Sequence, residues 1–354
     1  MKSGALLFKA GPEAYRSLRE DGFAEERIGT LVGASGGAKW LALSQLDRVI
    51  LRRVLPRINH VVHTLGSSIG SWRFACYAQA DPVAAIERLE YAYIEQSYTE
   101  KPDTQEITDK SREILDNVLG ENGVNEILEH PWLRSNIMTV RARHLTGSEV
   151  RPVLGLGLLL AMSANAVHRR ALGAFFARGL FYDPRSRSPF HDLTGFPIDR
   201  IPLAAENFRD AVLASGSIPM ILYGVRDIAG APPGTYRDGG VIDYHLDVPT
   251  AGPEQLTFFP HFFDWFKPGW FDRQLRWRGV DPANFARTLV VCPSPAFIER
   301  LPERKVPDRT DFVRLTPGER VRVWRQVVEQ CKELADELND ALDQDRIPAL
   351  VQPL

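Results

Sequence analysis

The chain of 354 residues is 44% hydrophobic and 25% charged, and it is long enough to bury a large core in one domain or two. Its 43 basic and 45 acidic residues leave a net charge of −2, which argues against a nucleic-acid-binding protein and against strong attraction to anionic membranes. The cysteines are odd in number, scattered and without metal-ligand spacing. They therefore predict a reducing, cytoplasmic environment rather than a disulfide framework: Cys76, Cys292 and Cys331.

The N-terminal part of the chain predicts an alternation of strands and helices. Residues 5–9 favour a strand and residues 13–21 a helix, which together form an N-terminal βα addition over residues 1–27. Two strand-turn-helix units follow, with strands at 27–33 and about 60–65 and helices at 41–55 and after residue 70. Consecutive units of this kind are typical of a mostly parallel sheet covered by helices, so the expected fold class is α/β with three layers.

Three segments of the second half carry further predictions. Arg287–Cys292 predicts a buried strand because its apolar run is nearly continuous. Gly234–His245 predicts two short strands hinged at Gly239 and Gly240. Val153–Val167 is an apolar run of fifteen residues. A membrane-spanning helix needs roughly 20, so this run predicts a buried helix, one that lines an apolar cavity, or a mobile lid.

The C-terminal part predicts a long amphipathic helix. Thr316 is the expected N-cap, with Pro317 at the first helical position and Glu319 completing a capping box. We expect the segment 311–354 to pack on a domain that spans residues 28–310.

The candidate nucleophile lies in residues 58–77, INHVVHTLGSSIGSWRFACY. An apolar run that favours a strand meets Gly66-Ser67-Ser68-Ile69-Gly70, and a segment with helical spacing follows. Strand, G-x-S-x-G and helix in succession form a nucleophile elbow, in which a sharp turn holds the serine hydroxyl at the end of the strand. A glycine-rich turn with a capping serine is the structural alternative.

A serine nucleophile needs a base and an oxyanion hole. Gly36 and Gly37 suit the oxyanion hole, since they follow a predicted strand and precede a helix, where backbone N–H groups favour negative charge. Asp238 is the strongest candidate for the base, because it ends a predicted strand and two glycines follow it. A plain turn is the alternative for this Asp-Gly-Gly sequence.

Four motifs in this order resemble those of the patatin-like lipid acyl hydrolases. The family carries a glycine-rich oxyanion loop, a serine elbow, an A-S-x-x-[IF]-P segment and an aspartate in D-G-[GA]. The matching residues here are 35–40 (SGGAKW), 66–70 (GSSIG), 213–219 (LASGSIP) and 237–240 (RDGG). Ser35 and Trp40 stand where the loop of the family has its first and last glycines, and a tryptophan there is expected to reshape the mouth of the acyl pocket.

The resemblance implies a patatin-like three-layer α/β/α fold and a serine hydrolase of lipid acyl esters. It implies a Ser68–Asp238 dyad, in which Asp238 acts as general base and Ser68 forms an acyl-enzyme. It also implies an oxyanion hole from the backbone N–H groups of Gly36, Gly37 and Ile69. No cofactor or metal is implied.

Other readings stay open at this point. Gly33–Gly37 is also a G-x-S-x-G, with Ser35 as nucleophile, but the loop before it contains Pro12, which has no N–H to donate. The same stretch lacks the Gly and the Ser or Thr of a phosphate-binding P-loop. A catalytic triad would use a late histidine, His245 or His261. A non-catalytic lipid-binding or scaffold protein on this fold is the rival from another functional class.

Residues 258–277, FFPHFFDWFKPGWFDRQLRW, combine aromatic rings with Lys and Arg. Such a composition suits peripheral membrane contact or a lip for lipid entry. A folded-in aromatic cluster or an oligomer contact fits the same residues slightly better. The expected partner is therefore a lipid or ester substrate, without nucleic acid.

Overall fold

The structure is a computed structural model that describes residues 4–252 and 254–354. Among these residues eleven strands form one sheet. They are β1 Leu6–Ala10, β2 Ile28–Gly33, β3 Val62–Ser67, β4 Leu133–Ala142, β5 Phe176–Tyr182, β6 Ile198–Pro202, β7 Val225–Arg226, β8 Thr235–Asp238, β9 Leu256–Pro260, β10 Thr288–Pro293 and β11 Gln352–Pro353.

Helices pack around this sheet. They are α1 Pro12–Asp21, α2 Ser44–Val49, α3 Ile69–Tyr77, α4 Pro82–Glu95, α5 Thr104–Leu119, α6 Gly123–Glu129, α7 Arg151–Val167, α8 Ala205–Ser215, α9 Pro295–Ile298, α10 Asp311–Arg314, α11 Pro317–Gln330, α12 Lys332–Asp343 and α13 Ile347–Leu350.

The centre of the sheet is parallel, in the order β10-β9-β2-β3-β4. Every residue of β2, β3, β9 and β10 is buried, as expected for parallel strands with helices on both faces. The predicted α/β fold with a mostly parallel sheet is therefore confirmed. Because β2 and β3 are parallel neighbours, with Gly33 opposite Gly66, the loops that follow them lie side by side.

The two ends of the chain join this same sheet. β1 pairs antiparallel with β10 and parallel with β11, so the first and last strands of the described residues lie together at one edge. The division into segments 1–27, 28–310 and 311–354 stays a prediction. Within the described residues no helix has both the length and the apolar character to cross a membrane.

Two element predictions are wrong in an informative way. The second strand expected after Gly239 is a single 3-10 turn, Gly239–Val241, because the side chain of Asp238 accepts a hydrogen bond from the N–H of Gly240 and tightens the chain there. The long last helix is two helices, α11 and α12, which meet at the buried Cys331.

The apolar run Val153–Val167 forms α7 but is not a buried helix. Its inward side carries mostly small or polar residues, namely Leu154, Gly157, Ala161 and Asn165. Large apolar side chains point outward on the opposite side: Leu156, Leu159, Leu160, Met162 and Val167 are exposed. Glycine at 157 is required by close packing, since a Cβ there would lie 2.9 Å from the backbone of Leu145.

Candidate active site

The elbow between β3 and α3 holds Ser68 in a strained conformation. Its φ of 55° lies in a region that non-glycine residues rarely adopt. The flanking glycines are required by close backbone contact. A Cβ on Gly70 would lie 1.9 Å from the carbonyl oxygen of Gly33, and a Cβ on Gly66 would lie 2.5 Å from the N of Ser71.

The structure brings Ser68 and Asp238 together. The Oγ of Ser68 donates a hydrogen bond of 2.7 Å to Oδ2 of Asp238, and both side chains are buried. The second carboxylate oxygen, Oδ1, accepts the N–H of Gly240 at 2.7 Å. Burial raises the pKa of Asp238 to about 7, against the opposing effect of these two hydrogen bonds. A carboxylate with this pKa can exchange a proton near neutral pH.

Strand pairing explains why residues 170 positions apart meet. Ser67, the last residue of β3, lies opposite Met138 of β4, and Asp238, the last residue of β8, lies opposite Thr139. The strands β3 and β8 thus follow one another along the same side of β4, with opposite directions. Their carboxyl ends point at each other, which places Ser68 and Asp238 in contact.

The segment 213–219 binds the backbone N–H groups of both Ser68 and Asp238. The hydroxyl of Ser215 accepts the N–H of Ser68 at 2.9 Å, donates to the carbonyl of Met138 at 2.7 Å and lies 2.9 Å from the hydroxyl of Ser71. The carbonyl of Ser217 accepts the N–H of Asp238 at 3.0 Å. The motif marked this segment in the sequence, but the role of Ser215 could not be read from it.

The predicted oxyanion residues surround Ser68, but they do not all line one cavity: Gly36 and Gly37 line the cavity that contains Asp238, and Ile69 lines a second cavity that also reaches Ser68. Gly37 has a φ of 55°, and a Cβ on Gly36 would lie 2.6 Å from the ring of Phe262, so both positions favour glycine. Within the described part of the chain, no hydrogen-bond partner is found for the N–H groups of Gly36 and Gly37 or for that of Ile69 at the first turn of α3. Their role as an oxyanion hole stays a prediction.

Ser35 is placed differently from Ser68. It is 2% exposed, its hydroxyl donates to that of Ser67 at 2.9 Å, and its N–H donates to the carbonyl of Tyr244. No carboxylate or histidine in the described residues accepts a hydrogen bond from it. Its surroundings therefore favour a structural role.

Trp40 does not reshape the mouth of the pocket. The ring is fully buried and packs edge-on against Tyr93, with centroids 6.0 Å apart. It is Tyr93, not Trp40, that lines the cavities beside Ser68. The expectation about the mouth was wrong because the chain enters a 3-10 helix, Gly37–Ala42, which turns the indole inward.

The two late histidines do not join Ser68 in a triad. His245 and His261 are fully buried and pack against each other, with ring centroids 4.4 Å apart. Nδ1 of His245 accepts the N–H of Lys267, and Nδ1 of His261 contacts backbone groups of Phe263. Burial lowers the pKa of both, to about 3 for His261, so both are neutral parts of an aromatic cluster.

Most of the stretch 258–277 belongs to this aromatic cluster. The aromatic side chains of Phe258, Phe259, Phe262 and Phe271 are buried, whereas Trp265 and Trp277 are 48% and 73% exposed. The stretch is thus largely interior, as a folded-in cluster would be.

All three cysteines are free and buried.

Two cavities meet at Ser68. One, of 440 Å³, contains Asp238 and the glycine loop. The other, of 590 Å³, has mainly apolar walls, which include Ile69, Trp72, Ile107, Ile114, Leu222 and Phe312. Both volumes are within the usual range for small-molecule sites. Among the described residues no group of three or more His, Cys, Asp or Glu side chains is placed to hold a metal ion.

Comparison with known proteins gives one family and a few solved structures. The family model for patatin-like phospholipases matches residues 31–245. No curated protein matches the chain. VipD from Legionella pneumophila is 12% identical with a TM-score of 0.37, over 95% of this chain and 71% of that one. Full-length ExoU from Pseudomonas aeruginosa, solved with SpcU, is 14% identical with a TM-score of 0.24, over 93% of this chain and 54% of that one.

Proposed function

The chain belongs to the patatin-like phospholipase family, and on this premise we propose that it is a serine hydrolase of lipid acyl esters that works through Ser68 and Asp238. The observation that carries the proposal is the hydrogen bond of 2.7 Å from the Ser68 hydroxyl to the Asp238 carboxylate, at the junction of two cavities. A buried acid with a pKa of about 7 is suited to accept the hydroxyl proton.

The reaction follows in two halves. Oγ of Ser68 attacks the ester carbonyl carbon while its proton passes to Asp238, and the N–H groups of Gly36, Gly37 and Ile69 stabilise the oxyanion. The tetrahedral intermediate then expels the alcohol, which takes the proton from Asp238, and leaves an acyl-enzyme. Asp238 next accepts a proton from water, whose oxygen attacks the acyl carbonyl. The second tetrahedral intermediate then breaks its bond to Oγ of Ser68 and releases the carboxylic acid, while Asp238 returns its proton to Oγ, which restores the hydroxyl of Ser68.

Peripheral contact with a lipid surface is part of the proposal, and α7 supports it better than residues 258–277. The exposed side of α7 is apolar, no acidic residue occurs from 150 to 182, and Arg151 and Arg170 are exposed at its two ends. Apolar faces flanked by cations suit the interface of anionic membranes. Asn165 of α7 donates to Asp272 at 2.7 Å, in the turn Trp270–Gln274 that also lines the cavity of Asp238.

A fluorophosphonate reagent tests the central claim, because it phosphonylates an activated serine. The wild type should be labelled, Ser68→Ala should not, and Ser35→Ala should be labelled once its fold is verified by circular dichroism. Mapping the modified peptide by mass spectrometry would identify residue 68. Labelling lost only in Ser35→Ala would reverse the assignment. A folded wild type that extracts lipid but is never labelled would instead be a non-catalytic lipid-binding protein.

A further inference from the structure

The junction of the two cavities contains few polar side chains. The residues that line both cavities are Gly37, Ser68, Tyr93, Ile218 and Arg309. Apart from Ser68, only Tyr93 and Arg309 of this set carry a polar side chain. Arg309 is exposed to solvent, whereas Tyr93 is half-buried. Among the described residues, the phenol of Tyr93 is thus the sheltered hydrogen-bond donor that faces both cavities beside Ser68.

The hydroxyl of Tyr93 lies over the glycine loop. It is 3.5 Å from the position that a Cβ on Gly37 would occupy. Apart from the loop itself, no other group of the described residues lies within 4 Å of that position. The backbone carbonyl of Tyr93 accepts a hydrogen bond from Gln96, but no partner for its hydroxyl is found in the part of the chain that the structure describes. This hydroxyl is therefore free to donate to a group bound beside Gly37.

The ring of Tyr93 is packed between two tryptophans. Its centroid lies 6.0 Å from that of Trp40 and 6.1 Å from that of Trp324, and both indoles are fully buried. The indole N–H of Trp324 donates to Asp311 at 3.0 Å, which holds that ring in place. Trp40 stands where the family loop has a glycine, and Trp324 lies outside residues 31–245. The position of the phenol thus depends on residues that the motifs of the family do not supply.

The phenol keeps its proton at neutral pH. Burial raises the pKa of Tyr93 above its ordinary value, and the nearby Tyr98 and Asp238 act in the same direction, against the effect of Arg320. A group of this kind donates a hydrogen bond without losing its proton to the acceptor.

Two other phenols near the site are placed differently. Tyr244 lines only the cavity of Asp238, and its ring stacks on that of His245 with centroids 4.5 Å apart. Tyr98 lines only the apolar cavity, and its hydroxyl donates to the side chain of Gln96 at 2.7 Å. Neither phenol has both a free hydroxyl and a place at the junction.

We propose that the hydroxyl of Tyr93 is a further catalytic group, which donates a hydrogen bond to the oxyanion that forms when Ser68 attacks the ester. This inference rests on the proposed function at Ser68. The negative charge develops on the carbonyl oxygen, and Tyr93 adds a side-chain donor to the backbone N–H groups of Gly36 and Gly37. A donor that is already held in place needs no reorganisation as the charge forms. Its proton is not transferred, because Asp238 carries the proton from Ser68 to the leaving alcohol.

Tyr93→Phe tests the proposal because it removes the hydroxyl and keeps the ring. The octanoates of 4-nitrophenol and of methanol share one acyl chain, but only the methanol needs a proton as it departs. We expect kcat/KM to fall by about a hundredfold for both esters. Thermal stability should stay at the wild-type value, since the hydroxyl has no protein partner to lose. A loss for the methyl ester alone would assign Tyr93 to protonation of the alcohol and overturn the oxyanion role.

Tyr98→Phe is the matched control, because it removes a phenol hydroxyl that is already engaged. It should lower thermal stability and change kcat/KM by less than about threefold. Equal losses of kcat/KM in the two variants would overturn the proposal. A clear loss of thermal stability in Tyr93→Phe would also overturn it, since the hydroxyl would then have a structural role.

A trifluoromethyl ketone with an octyl chain separates this inference from the hydrolase proposal. Ser68 adds to its carbonyl, and the resulting hemiketal oxygen takes the place of the oxyanion, as in other transition-state analogues. The inhibition constant should rise in Tyr93→Phe by about the factor by which kcat/KM falls. Fluorine NMR should show the hemiketal oxygen of this variant titrating at higher pH, which a merely structural change would not produce.

The outcomes distinguish the two proposals. If the wild type binds the ketone through Ser68 but cleaves neither ester, while Tyr93→Phe weakens the ketone, only the hydrolase proposal fails. If the wild type cleaves both esters and Ser68→Ala does not, while Tyr93→Phe matches the wild type in esters and ketone, only the role of Tyr93 is overturned. A folded wild type that neither cleaves an ester nor binds the ketone overturns both.

Discussion

The hydroxyl of Ser215 accepts the backbone N–H of Ser68 at 2.9 Å, so the conformation of the candidate nucleophile depends on a side chain from another element. The same hydroxyl donates to the carbonyl of Met138 in β4. A single buried oxygen therefore connects the elbow, the end of α8 and the strand against which both β3 and β8 pair.

Ser215→Ala should reduce both stability and activity. It leaves the buried N–H of Ser68 and the carbonyl of Met138 without this partner, which should lower the free energy of unfolding by about 1–3 kcal/mol. Release of the strained elbow should lower kcat by roughly ten- to a hundredfold, with a smaller effect on KM. Urea denaturation and ester kinetics measure the two effects.

Ser217→Ala is the control for that variant. The hydroxyl of Ser217 donates only to the carbonyl of Leu213 within the same segment, while its own carbonyl, which contacts Asp238, is retained. An equal loss of kcat in both variants would contradict a specific role for Ser215.

The ionisation of Asp238 should govern the pH dependence of the reaction. Because its pKa is about 7 and the carboxylate is the base, kcat/KM should rise with pH through about pH 7 and level off above it. The positive charge of Arg309 lowers this pKa, so Arg309→Gln should move the midpoint to higher pH. A midpoint near pH 4 would show that the carboxyl is solvated and unperturbed.

The same raised pKa predicts that Asp238→Asn stabilises the folded protein while it abolishes activity. A carboxyl group whose pKa is higher in the folded than in the unfolded state costs stability as pH rises from about 4 to about 7, and the cost remains above that range. At about pH 8, thermal unfolding should therefore give Asp238→Asn a free energy of unfolding about 1–3 kcal/mol higher than that of the wild type. The difference should shrink below about pH 5, and a constant difference at all pH values would contradict this explanation.

Much of the site could be predicted because short local sequence patterns determine its turns. A strand, a serine between glycines and a helix indicated the elbow at residues 66–70, and the Asp-Gly-Gly turn indicated Asp238. What joins them is the pairing of β3 and β8 with adjacent residues of β4, and no local pattern in the sequence specifies that pairing. The contact of Ser215 with Ser68 depends on the same long-range arrangement.

The surface was harder to predict than the core. The composition of α7 suggested burial, because hydrophobic content alone does not show which side of a helix faces inward. The small residues Gly157 and Ala161 let the helix approach the domain closely, and Leu156, Leu159 and Leu160 lie on the exposed side. For residues 258–277 the sequence left a surface lip and a folded-in cluster open and slightly favoured the cluster or an oligomer contact. Of their nine aromatic rings, only those of Trp265 and Trp277 are exposed.

Replacing glycines by alanine should distinguish a glycine that close packing requires from one that only weakens its helix. Gly70→Ala would place a Cβ 1.9 Å from the carbonyl oxygen of Gly33, so the elbow cannot form without moving β2, and we expect loss of folding or of all activity. Gly155→Ala in α7 meets nothing within 4 Å, and should stabilise the protein by about 0.5–1 kcal/mol through helix propensity. Thermal melts of the two variants make the comparison. A Gly70→Ala protein with full activity would show that the elbow tolerates a side chain.

The exposed apolar side of α7 should control binding to lipid surfaces. The double variant Leu156→Gln with Leu160→Gln removes two exposed side chains one helical turn apart, and should weaken binding to vesicles by about tenfold or more. Cosedimentation with phosphatidylcholine vesicles, with and without phosphatidylglycerol, measures the change. Tyr91→Gln is the control, since Tyr91 is an exposed apolar side chain on α4.

The kinetic signature of this variant distinguishes membrane contact from damage to the site. Hydrolysis of a short, soluble ester should stay at the wild-type rate, while hydrolysis of lipid in vesicles should fall with the binding. A loss of both activities would mean that α7 supports the turn Trp270–Gln274 rather than the membrane. Wild-type binding to vesicles together with a change from dimer to monomer in sedimentation would instead assign this apolar side to contact between two copies of the chain.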